Sequence, residues 1–221
     1  MNRRALLAAA LLPVLAALAA PRPASAAAPG VLEARFESRQ GRLSGTVDLT
    51  PAFPPDLERL LGNGLTNVIA VHLALAPARG GDPVAVWARE IQVLYDVWEE
   101  TYGVVVRDPA APRGRRVTMA SFAELRRFLS DVKGAALGPA AVLGTETWVV
   151  TARVELNPVS KELLDRTREL IANPSAASRA GGPSRSVLGA MASYLLREPP
   201  PGAEVRVLRS RPFVAAEVTS R

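Results

Sequence analysis

The segment Leu65–Leu75, LTNVIAVHLAL, restricts the fold more than any other stretch because it is apolar on both faces of a strand. Neighbouring side chains of a β-strand point to opposite faces. On this alternation Ile69 and Val71 lie on one face, and Ala70 and Ala74 lie on the other. Both faces need a covering layer, so we predict that this strand lies at the centre of a sheet.

Several further segments alternate between apolar and polar residues and predict strands. They are Val31–Ser38, Arg42–Thr50, Val84–Leu94, Thr101–Arg107 and Thr145–Leu156, with a closing strand pair after Pro199. The turn RQG joins the first two as a hairpin, whereas DPAAPRGRR is expected to be an exposed loop. These segments predict an α+β fold, with a mainly antiparallel sheet or sandwich of roughly six to eight strands and two to three packed helices.

Helix signals occur at two main places. Ser121 and Glu124 form a capping-box pattern, and Gly134 is expected to end the helix that follows. Asn157-Pro158 predicts a second helix, with asparagine as N-cap and proline at the first helical position. Shorter helices are expected in PDLERLLGNG and over residues 187–196. The apolar positions expected to face the sheet are Phe122, Phe128, Leu163 and Leu170.

The first 26 residues have the pattern of a secretory signal peptide. Arg3 and Arg4 supply positive charge, Ala5–Ala20 is apolar, and Ala24-Ser25-Ala26 fits the small-x-small cleavage rule. We predict cleavage after residue 26, a periplasmic or secreted location, and no stable membrane span after cleavage. Retention of this segment as an anchor is the alternative. The mature chain, residues 27–221, is then a single domain with a flexible, small-residue linker at about residues 174–186.

Composition argues against several classes of protein. The chain has 27 basic and 21 acidic residues, and cleavage would remove three arginines and no acid, leaving 24 basic residues and a net charge of +3. An exported chain with so small a charge is not expected to bind nucleic acid. There is no cysteine, so the hydrophobic core must stabilise the fold without disulfides.

The stretch Leu94–Val106, LYDVWEETYGVVV, has the highest density of reactive side chains in the sequence. It joins two predicted strands, so its centre is expected to be a hairpin corner. Tyr95 and Tyr102 would then be neighbours on adjacent strands, with Trp98 half-exposed over the edge or face of the sheet. This arrangement favours a structural role for the stretch.

Three carboxylates remain candidates for catalysis: Glu90, Asp96 and Glu100. Glycoside hydrolysis needs two carboxylates about 5–9.5 Å apart. Consecutive strand residues face opposite sides, which excludes Glu99 and Glu100 as such a pair. A hydrolase acting on cell-wall glycan or peptide would therefore need Glu100 to meet a distant partner such as Glu90.

No metal or cofactor site is expected from the sequence. His72 is the single histidine, no cysteine accompanies it, and it lies mid-strand among small apolar residues, which is typical of a core or sheet-face histidine. The turn Gly62–Leu65 follows a helix and precedes a strand, the opposite order to a phosphate-binding loop.

A possible interaction surface combines exposed aromatic and basic residues near the predicted hairpin and the loop that follows it. Its members are Trp98, Tyr102, Arg113, Arg115 and Arg116. The segment RGRR is typical of a solvated turn, with contact to an anionic lipid or glycan as the alternative.

The segments LLGNGLTNVIAVHLAL, REIQVLYDVWEETYGVVV, SFAELRRFL and TWVVTARVELNPVSKEL follow one another in a characteristic order. In this order the chain resembles a domain-of-unknown-function family of small exported bacterial proteins, over roughly Val31–Asn173. The resemblance implies export and an antiparallel fold, and it implies no activity and no catalytic positions.

The leading hypothesis is a non-enzymatic accessory or binding module of the cell envelope that contacts an envelope protein through a sheet face or hairpin tip. The alternatives are a cell-envelope hydrolase that uses the acids above and a protein that encloses a hydrophobic ligand between its two-sided apolar strands.

Overall fold

The structure is a computed structural model, which describes residues 30–158, 161–173, 194 and 204–220. The predicted signal peptide and the predicted linker lie outside the described residues, as does the helix expected over 187–196 except for Tyr194. Within the described part, no helix has the length and apolar character needed to cross a membrane.

Eleven strands and three α-helices make up the described chain. The strands are β1 Gly30–Arg39, β2 Arg42–Asp48, β3 Asn67–Pro77, β4 Ala85–Asp96, β5 Thr101–Arg107, β6 Arg115–Met119, β7 Asp131–Pro139, β8 Thr147–Leu156, β9 Val205–Ser210, β10 Phe213–Val214 and β11 Thr219–Ser220. The helices are α1 Leu57–Leu61, α2 Phe122–Ser130 and α3 Lys161–Ala172, with short 3-10 turns at Thr50–Ala52, Ala140–Leu143 and Ala215–Glu217.

The strands form one sheet in the order β6-β5-β4-β3-β8-β9-β1-β2-β7, with β10 beside β8 and β11 beside β1. The sheet curls, so that β7 at one end contacts β3 and β4 near the middle. Most neighbours are antiparallel, but β1 pairs in parallel with both β9 and β11. The coarse prediction of a β-rich fold with a few helices is confirmed, and the sheet is a curled one of mixed orientation. The predicted central strand is also confirmed, because β3 lies between β4 and β8.

Three strands, β6, β7 and β11, were not expected, so the sheet has eleven strands where six to eight were predicted. The predicted loop DPAAPRGRR ends inside β6, an edge strand that begins with Arg115. The predicted end of α2 at Gly134 is wrong, because α2 ends at Ser130 and β7 follows at once. Gly134 has a φ of +65° and lies where two residues of β7, Lys133 and Gly134, oppose the single residue Thr46 of β2, which makes this a β-bulge. The bulge lets Val132 and Ala135 both face the core.

The inner face of the curled sheet holds the main core. Ile69, Val71, Leu73 and Leu75 of β3 are fully buried there, and β8 adds Trp148. Helix α2 closes this side with buried Leu125 and Leu129, while Phe122 and Phe128 pack half-buried against it. The predicted inward stripe of α2 is therefore present.

The outer face of β3 and β4 is covered by α3. Leu170 and Ile171 pack there against Ala74, Val86 and Ala88. Leu170 thus faces the sheet as expected, whereas the side chain of Leu163 lies outside the described residues. The two-sided apolar character of β3 is explained by these two covering layers.

The predicted caps differ in detail from the observed hydrogen bonds. Ser121 Oγ accepts from the N–H of Glu124 at 3.2 Å, as a capping box requires, but Glu124 Oε2 accepts from the N–H of Ala120 rather than of Ser121. The side chain of Asn157 is used in the sheet, where Oδ1 accepts from the N–H of Val68 at 2.8 Å. Asn157 therefore joins the end of β8 to β3.

Candidate functional site

The β4–β5 hairpin ends in a tight turn over residues 97–100, as the sequence predicts. Tyr95 pairs with Tyr102 across the two strands, and their ring centroids are 4.8 Å apart. Asp96 Oδ1 accepts from the N–H groups of Trp98 and Glu99, at 2.9 and 3.2 Å, and so fixes the turn. Asp96 is thereby a turn-forming residue.

The two aromatic residues expected on the interaction surface have opposite environments. Trp98 is 91% exposed, so the expectation of a half-buried ring is wrong. Tyr102 is 5% exposed, packs near Phe122 and belongs to the core, so it cannot form part of an exposed surface. The alternation used to place them does not apply, because residues 97–100 form a turn in which Glu100 has a φ of +52°.

Three other exposed apolar residues lie near the same end of the hairpin as Trp98. Leu94 is 46%, Val97 56% and Leu65 67% exposed. Asn67 pairs with Val93, so the chain before β3 runs beside the end of β4, and Gly64 approaches Val97. We call Leu65, Leu94, Val97 and Trp98 the tip patch. Single exposed apolar residues are ordinary, whereas several of them at one end of a molecule are a candidate interaction site.

The charges around the tip patch are acidic. Asp96, Glu99 and Glu100 are exposed in or beside the turn. No arginine or lysine forms an ion pair with any of these three carboxylates within the described part of the chain. The hairpin end therefore combines apolar side chains with uncompensated negative charge.

The basic residues expected beside Trp98 lie at the other end of β5. Arg113 is in the β5–β6 loop, and Arg115 and Arg116 begin β6. Strand β5 has seven residues, which separates its two ends by roughly 20 Å at about 3.3 Å per residue. The expected surface is thus divided between two ends of the molecule.

An ion pair under that basic loop fixes its position. Asp108 Oδ2 accepts from Nε and Nη2 of Arg89 at 3.2 and 3.0 Å, and the guanidinium lies 4.9 Å from the centroid of Trp87. Burial lowers the pKa of Arg89, while Asp108 acts in the opposite direction. Asp108 Oδ1 also accepts from the N–H groups of Ala110 and Ala111, so the same carboxylate shapes the turn.

The three candidate catalytic acids are not brought together. Glu90 is buried on the outer face of β4, six residues before Asp96, a separation of roughly 20 Å along the strand. Asp96 and Glu100 are both at the hairpin turn, where Asp96 bonds to the backbone. The distance between Glu90 and the other two exceeds the range in which two carboxylates share one glycosidic bond.

Glu90 is instead the centre of a network of ion pairs. Its side chain is fully buried, and Oε1 accepts from Gln92 Nε2 and Arg107 Nη1, each at 2.8 Å. Arg168 of α3 donates through Nε to Oε2 at 2.8 Å and through Nη2 to Oε1 at 3.3 Å. The hydrogen bond from Arg168 to Glu90 raises the pKa of Arg168. Glu90 therefore attaches α3 to the sheet.

A second set of buried polar residues lies beside Glu90, under α3. His72 is fully buried, with Nε2 3.0 Å from Thr167 Oγ1, and its ring lies 5.9 Å from that of Tyr194. The guanidinium of Arg153 lies 4.3 Å from the centroid of Tyr194, whose hydroxyl donates to Glu155. Burial, with a smaller contribution from Arg153, lowers the pKa of His72 to about 3, so the imidazole is neutral at physiological pH.

The sequence contains a signal for these polar residues. His72 and Glu90 each follow apolar residues on one face of a strand, and Arg153 and Glu155 lie in a strand whose other face is entirely apolar. Buried polar residues need partners, so such residues on adjacent strands predict a polar contact with a covering element. In the described residues no group of three His, Asp or Glu side chains comes together to hold a metal ion.

Comparison with family models, with curated proteins and with solved structures finds no match to this chain. The resemblance to a family of small exported proteins therefore stays a prediction.

Proposed function

We propose that the protein is an exported, non-enzymatic binding module that holds a protein partner through the tip patch. The observation that carries the proposal is the 91% exposure of Trp98 at the end of the β4–β5 hairpin. The turn beneath it is fixed by Asp96 and the strands behind it by the Tyr95–Tyr102 contact. A side chain presented in this way needs little ordering when it binds.

The chemistry of the tip patch defines the partner. Tryptophan is enriched among the residues that contribute most to binding energy, where it enters an apolar pocket on the other protein. The acids Asp96, Glu99 and Glu100 around it favour a basic rim on that pocket. They also disfavour an anionic membrane surface, because their charge would be repelled by it.

Photocrosslinking from the tip patch tests this function. A photoreactive phenylalanine analogue at position 98, in cells that make the protein, should yield one discrete adduct. The adduct should weaken when Glu99 and Glu100 are both changed to lysine. The same probe at Arg113, at the far end of β5, is the matched control and should not give that adduct. Adducts to lipid, or identical products from both positions, would contradict a protein partner at the tip.

Trp98→Ala should change the free energy of unfolding by no more than about 0.5 kcal/mol, as exposed substitutions usually do. The ring is almost fully solvated, so its removal leaves no cavity. Urea denaturation of the two proteins measures the difference. A loss of stability above about 1.5 kcal/mol, the range of a buried apolar side chain, would mean that Trp98 is a packing residue and would remove the main support for this function.

Export is part of the proposal, and it predicts that the chain is cleaved after residue 26. Mass spectrometry of the protein from the producing cells should detect an N-terminus near Ala27 in the periplasmic or secreted fraction. Replacing Arg3 and Arg4 with glutamate should cause the full-length form to accumulate, because the positive n-region is part of the signal. An intact N-terminus on most of the wild-type protein would contradict this prediction.

A further inference from the structure

An open pocket of about 740 Å³ lies where the β1–β2 hairpin meets α2 and the start of β7. Its volume is within the range of small-molecule binding sites. Six charged residues line it, three of each sign: Glu33, Asp48, Asp131, Arg35, Arg126 and Arg127. None of them belongs to the tip patch, so the pocket is a separate feature of the molecule.

The three acids form one row across three strands. Glu33 of β1 pairs directly with Asp48 of β2, and Asp48 pairs directly with Asp131 of β7. Directly opposed side chains share a face and have Cβ atoms about 5 Å apart, and like charges in that position repel. Asp131 also contacts Lys133 at 2.8 Å, whereas Glu33 and Asp48 form no ion pair within the described chain. A bound cation would relieve this repulsion.

The row favours an organic cation over a metal ion. Calcium requires its oxygen ligands within about 2.3–2.6 Å of one point, whereas three adjacent strands spread these carboxylates over roughly 10 Å. Among the described residues, no group of three His, Asp or Glu side chains is close enough together to hold a metal ion, and these three acids are no exception. A larger cation such as an ammonium group can contact the row through separate hydrogen bonds.

The three arginines supply the opposite charge. Arg126 and Arg127 lie in the last turns of α2, and Arg35 lies on β1. In the described part of the chain, no carboxylate oxygen comes within 4.0 Å of any of their guanidinium nitrogens, although three acids line the same pocket. Guanidinium groups bind carboxylates through paired hydrogen bonds. Their unused donors fit a ligand carboxylate.

We propose that this pocket binds a small zwitterion, an α-amino acid or short peptide, with its ammonium group at the Glu33–Asp48 row and its carboxylate at Arg126 and Arg127. The acids and the arginines of the pocket do not neutralise each other. They are therefore complementary to a ligand that carries one positive and one negative group. The proposal does not depend on the tip patch, since it concerns other residues.

Calorimetric titration of the full mature chain tests the proposal with L-alanine, L-alanyl-L-alanine and the corresponding tripeptide. At least one of them should bind saturably. Acetylating its amino group or amidating its carboxylate should each weaken binding by at least about tenfold, which corresponds to the loss of one charge-assisted contact. Inorganic phosphate and Ca²⁺, each alone, should bind more weakly than the zwitterion.

Matched variants assign each end of the ligand. In Arg126→Gln/Arg127→Gln the free acid and the amide should bind equally, and in Glu33→Gln/Asp48→Asn the free amine and its acetylated form should bind equally. Glu37→Gln and Arg39→Gln, on the same hairpin but outside the pocket lining, should retain the parent's preference for both free termini. Equal folding of all variants is checked by circular dichroism.

Three results would overturn the proposal. They are no saturable binding by any of the three ligands, equal binding of the free and blocked forms by the parent, and tighter binding of phosphate or Ca²⁺ than of any zwitterion. The last result would identify a simple ion site.

Discussion

Glu90→Gln should lower the free energy of unfolding by about 2–4 kcal/mol, because hydrogen bonds to charged groups contribute about 1.5–3 kcal/mol each. The carboxylate is fully buried and binds both Arg107 and Arg168. Glutamine has nearly the same shape, but its NH₂ group cannot accept from Arg168 Nε, and the guanidinium groups lose their counter-charge. Both arginines are partly exposed and can regain water, which keeps the cost below that of a fully buried orphaned charge.

Urea denaturation with Glu99→Gln as control measures this effect. Glu99 is exposed in the hairpin turn, so the same chemical change there should cost no more than about 0.5 kcal/mol. Arg168→Ala should also destabilise, since it detaches α3 from Glu90. The effects of Glu90→Gln and Arg168→Ala should not add, because the two residues share one contact. If Glu90→Gln leaves stability unchanged and the parent protein shows a hydrolytic activity that the variant lacks, Glu90 is a catalytic acid after all.

The parts of the fold that the sequence predicted are those with strong local patterns. Strand β3 could be placed at the centre because Ile69 and Ala70 already show two apolar faces. The β4–β5 hairpin followed from its flanking alternation and from Asp96 as a turn residue. The start of α2 followed from Ser121, whose side chain needs no tertiary contact to cap the helix.

The parts that the sequence did not predict depend on contacts with distant segments. Strand β7 contains Ala135 and Gly134, which have low strand preference, and it is a strand because β2 pairs with it. Gly134 is a local sign of its bulge, but next to a helix the same glycine also predicts a helix stop, and only the pairing with β2 decides between the two. The parallel pairing of β1 with β9 joins the two ends of the described chain, and nothing in either segment indicates it.

The candidate sites, like the fold, could be predicted from the sequence only in part. The chemistry of the hairpin turn was visible, but the exposure of Trp98 depends on the shape of the turn at residues 97–100, and the burial of Tyr102 depends on its packing in the core. The pocket could not be predicted, because Glu33, Asp48 and Asp131 become neighbours only through the pairing of β1, β2 and β7. Each is an ordinary charged residue in its own segment.

His72 should make the protein less stable in mild acid, by about 2 kcal/mol between pH 7.5 and pH 5. The pKa of this imidazole is lowered from 6.5 to about 3 in the folded protein, chiefly by burial. The unfolded chain therefore binds a proton as the pH falls through 6.5, while the folded chain does not. Stability is complete above that pH and falls by about 1.4 kcal/mol per pH unit until the folded pKa near 3 is reached.

The comparison with His72→Gln isolates this contribution. Glutamine can keep a hydrogen bond to Thr167 but does not titrate, so its stability should be nearly flat between pH 7.5 and pH 5. Carboxylates titrate mainly below this window and affect both proteins alike. Urea denaturation across the window should give the parent the steeper dependence by about 2 kcal/mol. Parallel curves would mean that His72 binds a proton in the folded protein as readily as in the unfolded chain. Such a result would mean that water reaches the imidazole past α3 and Tyr194. It would also contradict the attachment of α3 to the sheet through Glu90.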